Sequence, residues 1–340
     1  MSRIVRYRAT LAAVVAPMIV AVCASPAGAQ AYVPAKGEGT ISFLYQGTFV
    51  KDHYFGTTPV DAGSITSRMM LLDVTYGVTD RLAVTFGIPW VASMYTGSSP
   101  HPLVDNSGPT PTYYGVSPGD DGTYHATFQD FRFDVRYNVV AKKGMALTPF
   151  IATSVPSHEY TVFAHTAPGQ HLKQLQIGVS GAKLLDAAVP GLFVQARYAY
   201  AIAQTVADIS HNRSNADLEV GYFVTPRLRL LALVTGQFTH GGVDLVPNAR
   251  VVMGPLFQYH DQITQIHFLD IGGGVSFALT DRVDFFGSLL RTVAARNGHA
   301  VDHGLSLGLS WSFSTKRAGD RAIASTENSL AKCLCGKSAS

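Results

Sequence analysis

Three groups of side chains in this sequence could do chemistry. Gly115-Val116-Ser117-Pro118-Gly119 fits the G-x-S-x-G pattern of a hydrolytic nucleophile, which requires a strand before the serine and a helix after it. Pro118 follows the serine directly, in a stretch crowded with Gly and Pro, and the pattern reads as a flexible surface loop. The second group is the histidines: His53, His101, His125, His158, His165, His171, His211, His240, His260, His267, His299 and His303. Imidazoles gather divalent transition metals, and they change charge as the pH falls through about 6.5. Histidine also tolerates wet loops, and all of these map to long loops or the strand ends beside them, so that blander reading is preferred; no metal and no cofactor are assigned. Third, Cys333 and Cys335 bring two thiolates to a tail whose Ala, Ser, Gly and Lys read as disordered, whereas structural zinc takes four ligands.

The elements that must carry these residues follow from composition and pattern. Of 340 residues, 47% are hydrophobic and 14% are charged, against about 25% charged in a typical soluble protein. A net charge of +3 on so apolar a chain excludes disorder. Basic residues number 26 and acidic residues 23, with no basic stripe, so nucleic acid is not an expected partner. Residues 1–29 read as a cleaved signal peptide. Arg3, Arg6 and Arg8 precede the apolar run Leu11 to Val22, and Ala27-Gly28-Ala29 offers the cleavage site. The run is too short to cross about 30 Å of hydrocarbon.

Beyond the signal the pattern is alternation with period two. Leu82, Val84, Phe86, Ile88 and Trp90 share one face, and so do Phe131, Phe133, Val135, Tyr137 and Val139. Leu305, Leu307, Leu309, Trp311 and Phe313 repeat the pattern against Ser306, Gly308, Ser310 and Ser312. One face of each strand therefore meets an apolar medium. Three features favour lipid over the core of a soluble sandwich. The opposite face carries ions in a row, Asp130, Arg132, Asp134 and Arg136, in a chain otherwise poor in charge. Aromatics such as Tyr76, Trp90, Tyr137, Tyr222 and Trp311 sit near strand ends, as interfacial girdles do. Short connections near 77–80, 140–144, 185–190, 224–226 and 279–281 alternate with long ones near 51–63, 92–125, 156–170, 205–213, 239–261 and 294–302.

The prediction is an all-β, transmembrane, antiparallel up-and-down barrel over 39–314 with short periplasmic turns and long extracellular loops. Its twelve strands are expected at 39–50, 64–76, 81–91, 126–139, 145–155, 171–184, 191–204, 213–223, 227–238, 262–278, 282–293 and 303–314. An even count puts both termini in the periplasm. Residues 30–38 form a short N-terminal segment, too short for a folded plug, and 315–340 form the tail.

Three turns echo one another: Val78-Thr79-Asp80-Arg81-Leu82, Val224-Thr225-Pro226-Arg227-Leu228 and Leu279-Thr280-Asp281-Arg282-Val283. With the A-x-A signal and the closing strand Leu305 to Phe313, these turns resemble the bacterial outer-membrane "transporter" family of meta-pathway phenol-degradation proteins. The resemblance covers roughly 36–314. It implies a barrel and the passage of small, partly aromatic or hydrophobic compounds, and it brings no catalytic or binding residues. The strand-closing aromatic of such barrels normally ends the chain, whereas Phe313 is followed by 314–340.

The lumen is then the place for function. Its inward-facing candidates are Asp73, Asp130, Arg132, Asp134, Arg136, Arg197, Asp217, Glu219, Arg229, Asp270 and Asp284. Twelve strands make a lumen wider than the filled eight-stranded barrels and narrower than porins. The 92–125 loop is long enough to fold inward as a constriction. The expected role is an outer-membrane channel without chemistry, whose partners are lipid, the barrel-assembly machinery and a small-molecule solute. The alternative is a structural or surface-binding, metal-collecting barrel closed by its own ion pairs. An outer-membrane hydrolase ranks third: His267 and His303 map near the lipid-facing rim, but no serine is placed on that face for activation.

Overall fold

The computed structural model describes residues 31–142 and 144–315. The signal peptide over 1–29 and the Cys333–Cys335 tail lie outside them. Twelve long strands form the wall: β1 (Glu38–Phe55), β2 (Ser64–Gly77), β3 (Leu82–Thr96), β4 (Phe131–Tyr137), β5 (Met145–Val155), β6 (Gln174–Leu184), β7 (Leu192–Ala203), β8 (His211–Phe223), β9 (Leu228–Gly241), β10 (His267–Ala278), β11 (Val283–Arg296) and β12 (Gly298–Ser314). Each pairs antiparallel with the next, and β12 pairs back onto β1 from Glu38↔Ser314 to Tyr54↔Gly298, which closes the barrel. Closure leaves no free edge of N–H and C=O groups, as an apolar surround requires. No helix among the described residues is long and apolar enough to cross a membrane, which says nothing of a barrel.

The alternation read from sequence sets the two faces of the wall. Leu305, Leu307, Leu309 and Trp311 are exposed on the outside of β12, and Gly304, Ser306 and Gly308 between them are buried inside. Ile151, Ile177, Tyr198 and Val135 continue the exposed apolar belt around the barrel. The repeated turns close at one end by one device. Thr79 Oγ1 accepts hydrogen bonds from the N–H groups of Arg81 and Leu82 at 3.2 and 2.9 Å. Thr225 does the same for Arg227 and Leu228, and Thr280 for Arg282 and Val283. A threonine three residues before the returning strand thus satisfies two donors that the turn would orphan.

The structure corrects the expected strands in two places. The strand expected at 126–139 is interrupted: His125–Phe128 pairs with β3 from Ser93 to Trp90, and Phe131–Tyr137 resumes one residue out of register. The break faces Pro89, whose carbonyl accepts Gln129 N–H at 2.9 Å but which has no N–H to return. The strand expected from 262 begins at His267, because Ala249–Met253, Gly254–Tyr259 and His260–Ile263 form helical turns within the loop. The short N-terminal segment packs against the inside of the wall. Ala31 is fully buried against Ala146 and Ala182, and its carbonyl accepts from Asn138 Nδ2 at 3.3 Å and from Thr148 Oγ1. Gly77 is the residue that lets the segment pass, since a Cβ there would strike the carbonyls of Pro34 and Ala35.

The two faces differ most in what a charge costs. Leu307→Arg places a guanidinium on the apolar belt and should destabilise the folded barrel in liposomes by roughly 2–4 kcal/mol. Ser310→Arg, on the inner face where Ser310 bonds Ser42 at 2.9 Å, should cost less. Urea unfolding from liposomes measures both. Equal penalties would contradict the assignment of faces.

Candidate functional site

Seven of the eleven sequence candidates converge on one cavity of about 440 Å³ inside the wall: Asp73, Arg132, Asp134, Arg136, Arg197, Asp217 and Glu219. Adjacent strands bring them together because inward residues two apart on one strand face inward residues of the next. Arg136 Nε lies 3.0 Å from Asp134 Oδ1, and its Nη2 donates to Thr85 Oγ1 at 2.9 Å. Arg197 lies 3.6 Å from Asp217, donates to Gln176 Oε1 at 3.0 Å and stacks over the Phe150 ring at 4.3 Å. Asp217 accepts from Thr235 Oγ1 and Glu219 from Gln195 Nε2. Gly87 leaves room for the Asp73 carboxylate, which a Cβ there would meet.

The other four candidates lie away from this cavity. Arg229 donates to Ser276 Oγ at 2.6 Å and stands 3.9 Å from Asp284, near the short turns. Asp270 accepts from Thr292 Oγ1 at 2.8 Å. Asp130 takes the hydroxyl of Tyr160 and so belongs to the loops.

The lumen also has an apolar side. Leu44, Leu71 and Phe286 pack together with Met69, and Leu233 and Leu290 pack with Leu231 and Val301. Leu231, Leu233 and Phe286 reach the same cavity as the ions. The signal for this was lost alternation: Met69-Met70-Leu71-Leu72 and Leu230-Leu231-Ala232-Leu233-Val234 are apolar on both faces. Phe150, Phe193 and Phe286 each lie across the glycine paired with them on the neighbouring strand, Gly178, Gly221 and Gly308. A Cβ at any of those glycines would run into the ring, so the glycines make space for inward aromatics.

Over the opposite end, the long loops fold inward as expected of 92–125. They bring histidines together that are far apart in sequence. His101 and Asp120 come from the β3–β4 loop, His165 from the β5–β6 loop, and His260 and Asp261 from the β9–β10 loop. His101 Nδ1 lies 3.1 Å from Asp120 Oδ2 and 2.9 Å from His165 Nδ1, and His165 Nδ1 lies 2.7 Å from Asp120 Oδ2. Burial alone would raise the Asp120 carboxyl, but its close contacts with His101 and His165, the His101 backbone N–H among them, outweigh it and hold it well below the carboxylate range. Burial pushes the His165 and His260 imidazoles down, toward the neutral form. Spacing in the sequence gave no sign of this cluster, because its members are assembled by loop packing.

The G-x-S-x-G stretch is also part of that packing and corrects the flexible-loop reading. Ser117 is 2% exposed, its N–H donates to His101 O at 2.7 Å, and only a 3-10 turn, Pro118–Asp120, follows it. A nucleophile elbow needs more than that. On the outward rim, Ser214 Oγ does lie 2.8 Å from His240 Nε2 and 3.0 Å from Tyr198 Oη. This serine–histidine contact, which sequence reading missed while looking beside His267 and His303, sits among Tyr200, Phe238 and His267 in an aromatic girdle. No carboxylate among the described residues bonds His240, and the strand N–H groups around Ser214 are spent on the wall.

Comparison with solved structures gives the architecture a precedent. The COG4313 outer membrane channel from Pseudomonas putida F1 superposes with a TM-score of 0.63 at 14% identity, over 84% of this chain and 98% of that one. The fold is that of an outer-membrane β-barrel. The NanC porin gives a TM-score of 0.44 at 10% identity, over 79% of this chain and 98% of that one. A KdgM porin in complex with disordered oligogalacturonate gives 0.42 at 7%, over 81% and 99%. No protein-family model matches the sequence, and no curated protein does.

Tyr160 joins two of the long loops, since its hydroxyl donates to Asp130 and accepts the His171 N–H at 2.9 Å. Tyr160→Phe should weaken the hold on the loop by about 1–1.5 kcal/mol. Amides of residues 157–172 should then exchange roughly tenfold faster in hydrogen–deuterium exchange, with the wall unchanged. Unaltered loop exchange would show that the loop is held elsewhere.

Proposed function

We propose that the protein is an outer-membrane channel for small solutes that carry both an apolar body and a polar or ionised group, such as substituted aromatics. One observation carries this reading: a single cavity inside a closed wall presents Arg132, Arg136, Arg197 and four carboxylates together with Leu231, Leu233, Phe150 and Phe286. A solute with only one of these characters would leave part of that lining unsatisfied. The turn motifs that resemble the phenol-degradation transporter family support the same solute class, and the barrel shared with a structurally characterised channel supports the transport role. In this reading the long loops face outside, and the short turns and both termini face the periplasm. No chemistry is assigned to the protein.

A second reading, a barrel shut by its own contacts, draws on the pairing of Arg136 with Asp134 and of Arg197 with Asp217, and on the loops and the 31–37 segment lying across the two mouths. Single-channel recording in planar bilayers separates the two. Wild type should conduct in small steps. Arg132→Gln with Arg136→Gln changes the cavity from three arginines against four carboxylates to one against four. A unit charge about 5 Å away in a water-like medium is worth roughly 0.8 kcal/mol, so cation preference should rise about fourfold or more. A wild type that never conducts would establish the shut barrel, and unchanged selectivity would remove these arginines from the passage.

A further inference from the structure

We propose that His101, Asp120 and His165 bind one divalent transition-metal ion of zinc-like ligand preference, which fastens two of the long loops over the mouth of the barrel. The three ligand atoms form a triangle with edges of 2.7, 2.9 and 3.1 Å. An ion about 2.05 Å from all three would sit roughly 1.2 Å off their plane, and the triangle need only open by a few tenths of an ångström toward tetrahedral spacing. Two imidazole nitrogens and one carboxylate oxygen suit zinc, cobalt or nickel rather than magnesium or calcium.

Hydrogen bonding leaves a place for a cation there. His260 Nδ1 donates to the Phe257 carbonyl at 2.8 Å, so in the neutral ring its Nε2 is an acceptor. His101 Nε2, 3.4 Å away, is the donor to that acceptor, so the neutral His101 ring carries a bare lone pair on Nδ1. That lone pair points at the Asp120 carboxylate and at His165 Nδ1. One proton on His165 satisfies one edge of the triangle; the remaining lone pairs face one another across about 3 Å of buried space.

The surroundings hold the ligands in place. Asp120 accepts the His101 N–H at 2.8 Å and the Thr166 N–H at 3.4 Å, so its carboxylate is aimed by backbone from both loops. Tyr95 stacks on His165 at 4.1 Å with the rings 11° from parallel, and Phe163 sits edge-on to His101 at 4.6 Å. His260, with Asp261 at 3.4 Å, takes the far side of His101, the position that orients and strengthens a metal-bound imidazole. Against His165, the His53 ring is buried, with neither nitrogen bonded among the described residues.

The test uses the full-length folded protein in detergent, freed of metal by chelation and titrated with Co²⁺ and then Zn²⁺. The expected result is one Co²⁺ per chain with visible d–d absorption, displaced by one Zn²⁺. His165→Gln and Asp120→Asn should lower affinity at least 100-fold, and His260→Ala by about 10- to 100-fold. His303→Ala, an exposed rim residue, should leave it unchanged. Folding of each variant is checked by heat-modifiable gel mobility. Bound Zn²⁺ should also slow exchange of amides in 97–120 and 157–172. Wild type that takes up no stoichiometric Co²⁺ would overturn the proposal, as a protonated His101 would then fill the gap. Binding lost equally in His303→Ala, or retained in folded His165→Gln, would overturn it too. None of these readouts depends on conduction, so the metal site and the channel stand or fall separately.

Discussion

Every strand of this barrel must give one face to an apolar surround, and the rest of the structure depends on that demand. Period-two geometry then leaves the alternate residues no choice but the interior. Leu305, Leu307 and Leu309 outside oblige Ser306 and Gly308 inside, and Val135 and Tyr137 outside oblige Asp134 and Arg136 inside. A register slip of one residue would put the arginines into the apolar belt, so the lumen's charge is fixed by the cost of the wrong face. The ions need no special positioning element.

That same rule shows where the sequence was readable and where it was not. Strand number, faces and the ionic row on Arg132, Asp134 and Arg136 follow from alternation, which is a local property, and the structure places them accordingly. Three things depended on contacts between distant segments and could not be seen this way. Pro89 interrupts its neighbour, not its own strand, so the break at 129–130 appears in the partner's sequence only as ordinary alternation. Ala31 reaches Asn138 and Thr148 across the mouth through its backbone carbonyl, and a carbonyl leaves no mark on residue type. The loop histidines meet because loops from β3, β5 and β9 fold against each other, and neither spacing nor composition encodes such a meeting. The apolar side of the lumen was the readable exception, since Leu231 and Leu233 break the alternation openly.

The interior therefore has three zones of different chemistry stacked along one axis. Toward the short turns lie Arg229, Asp284 and the segment from Ala31; in the middle lies the cavity of mixed charge and hydrocarbon; toward the long loops lies a largely buried cluster of imidazoles and carboxylates. Mixed charges with satisfied partners, such as Arg197 with Asp217 and Gln176, make a lining that is polar yet well ordered. Aromatics seated over glycines fill the wall's inner surface without crowding it.

The seam between β1 and β12 has a kinetic meaning. Thr315 bonds the Gly37 carbonyl across 278 residues of chain, so the contact that completes the wall is among the most remote the sequence makes. Such remote pairings form slowly, because the intervening chain must be ordered first. Until β12 docks, β1 and β11 remain two open strand edges, each able to pair with any other strand it meets. Those two rows of unpaired amides are the surface that docking of β12 removes.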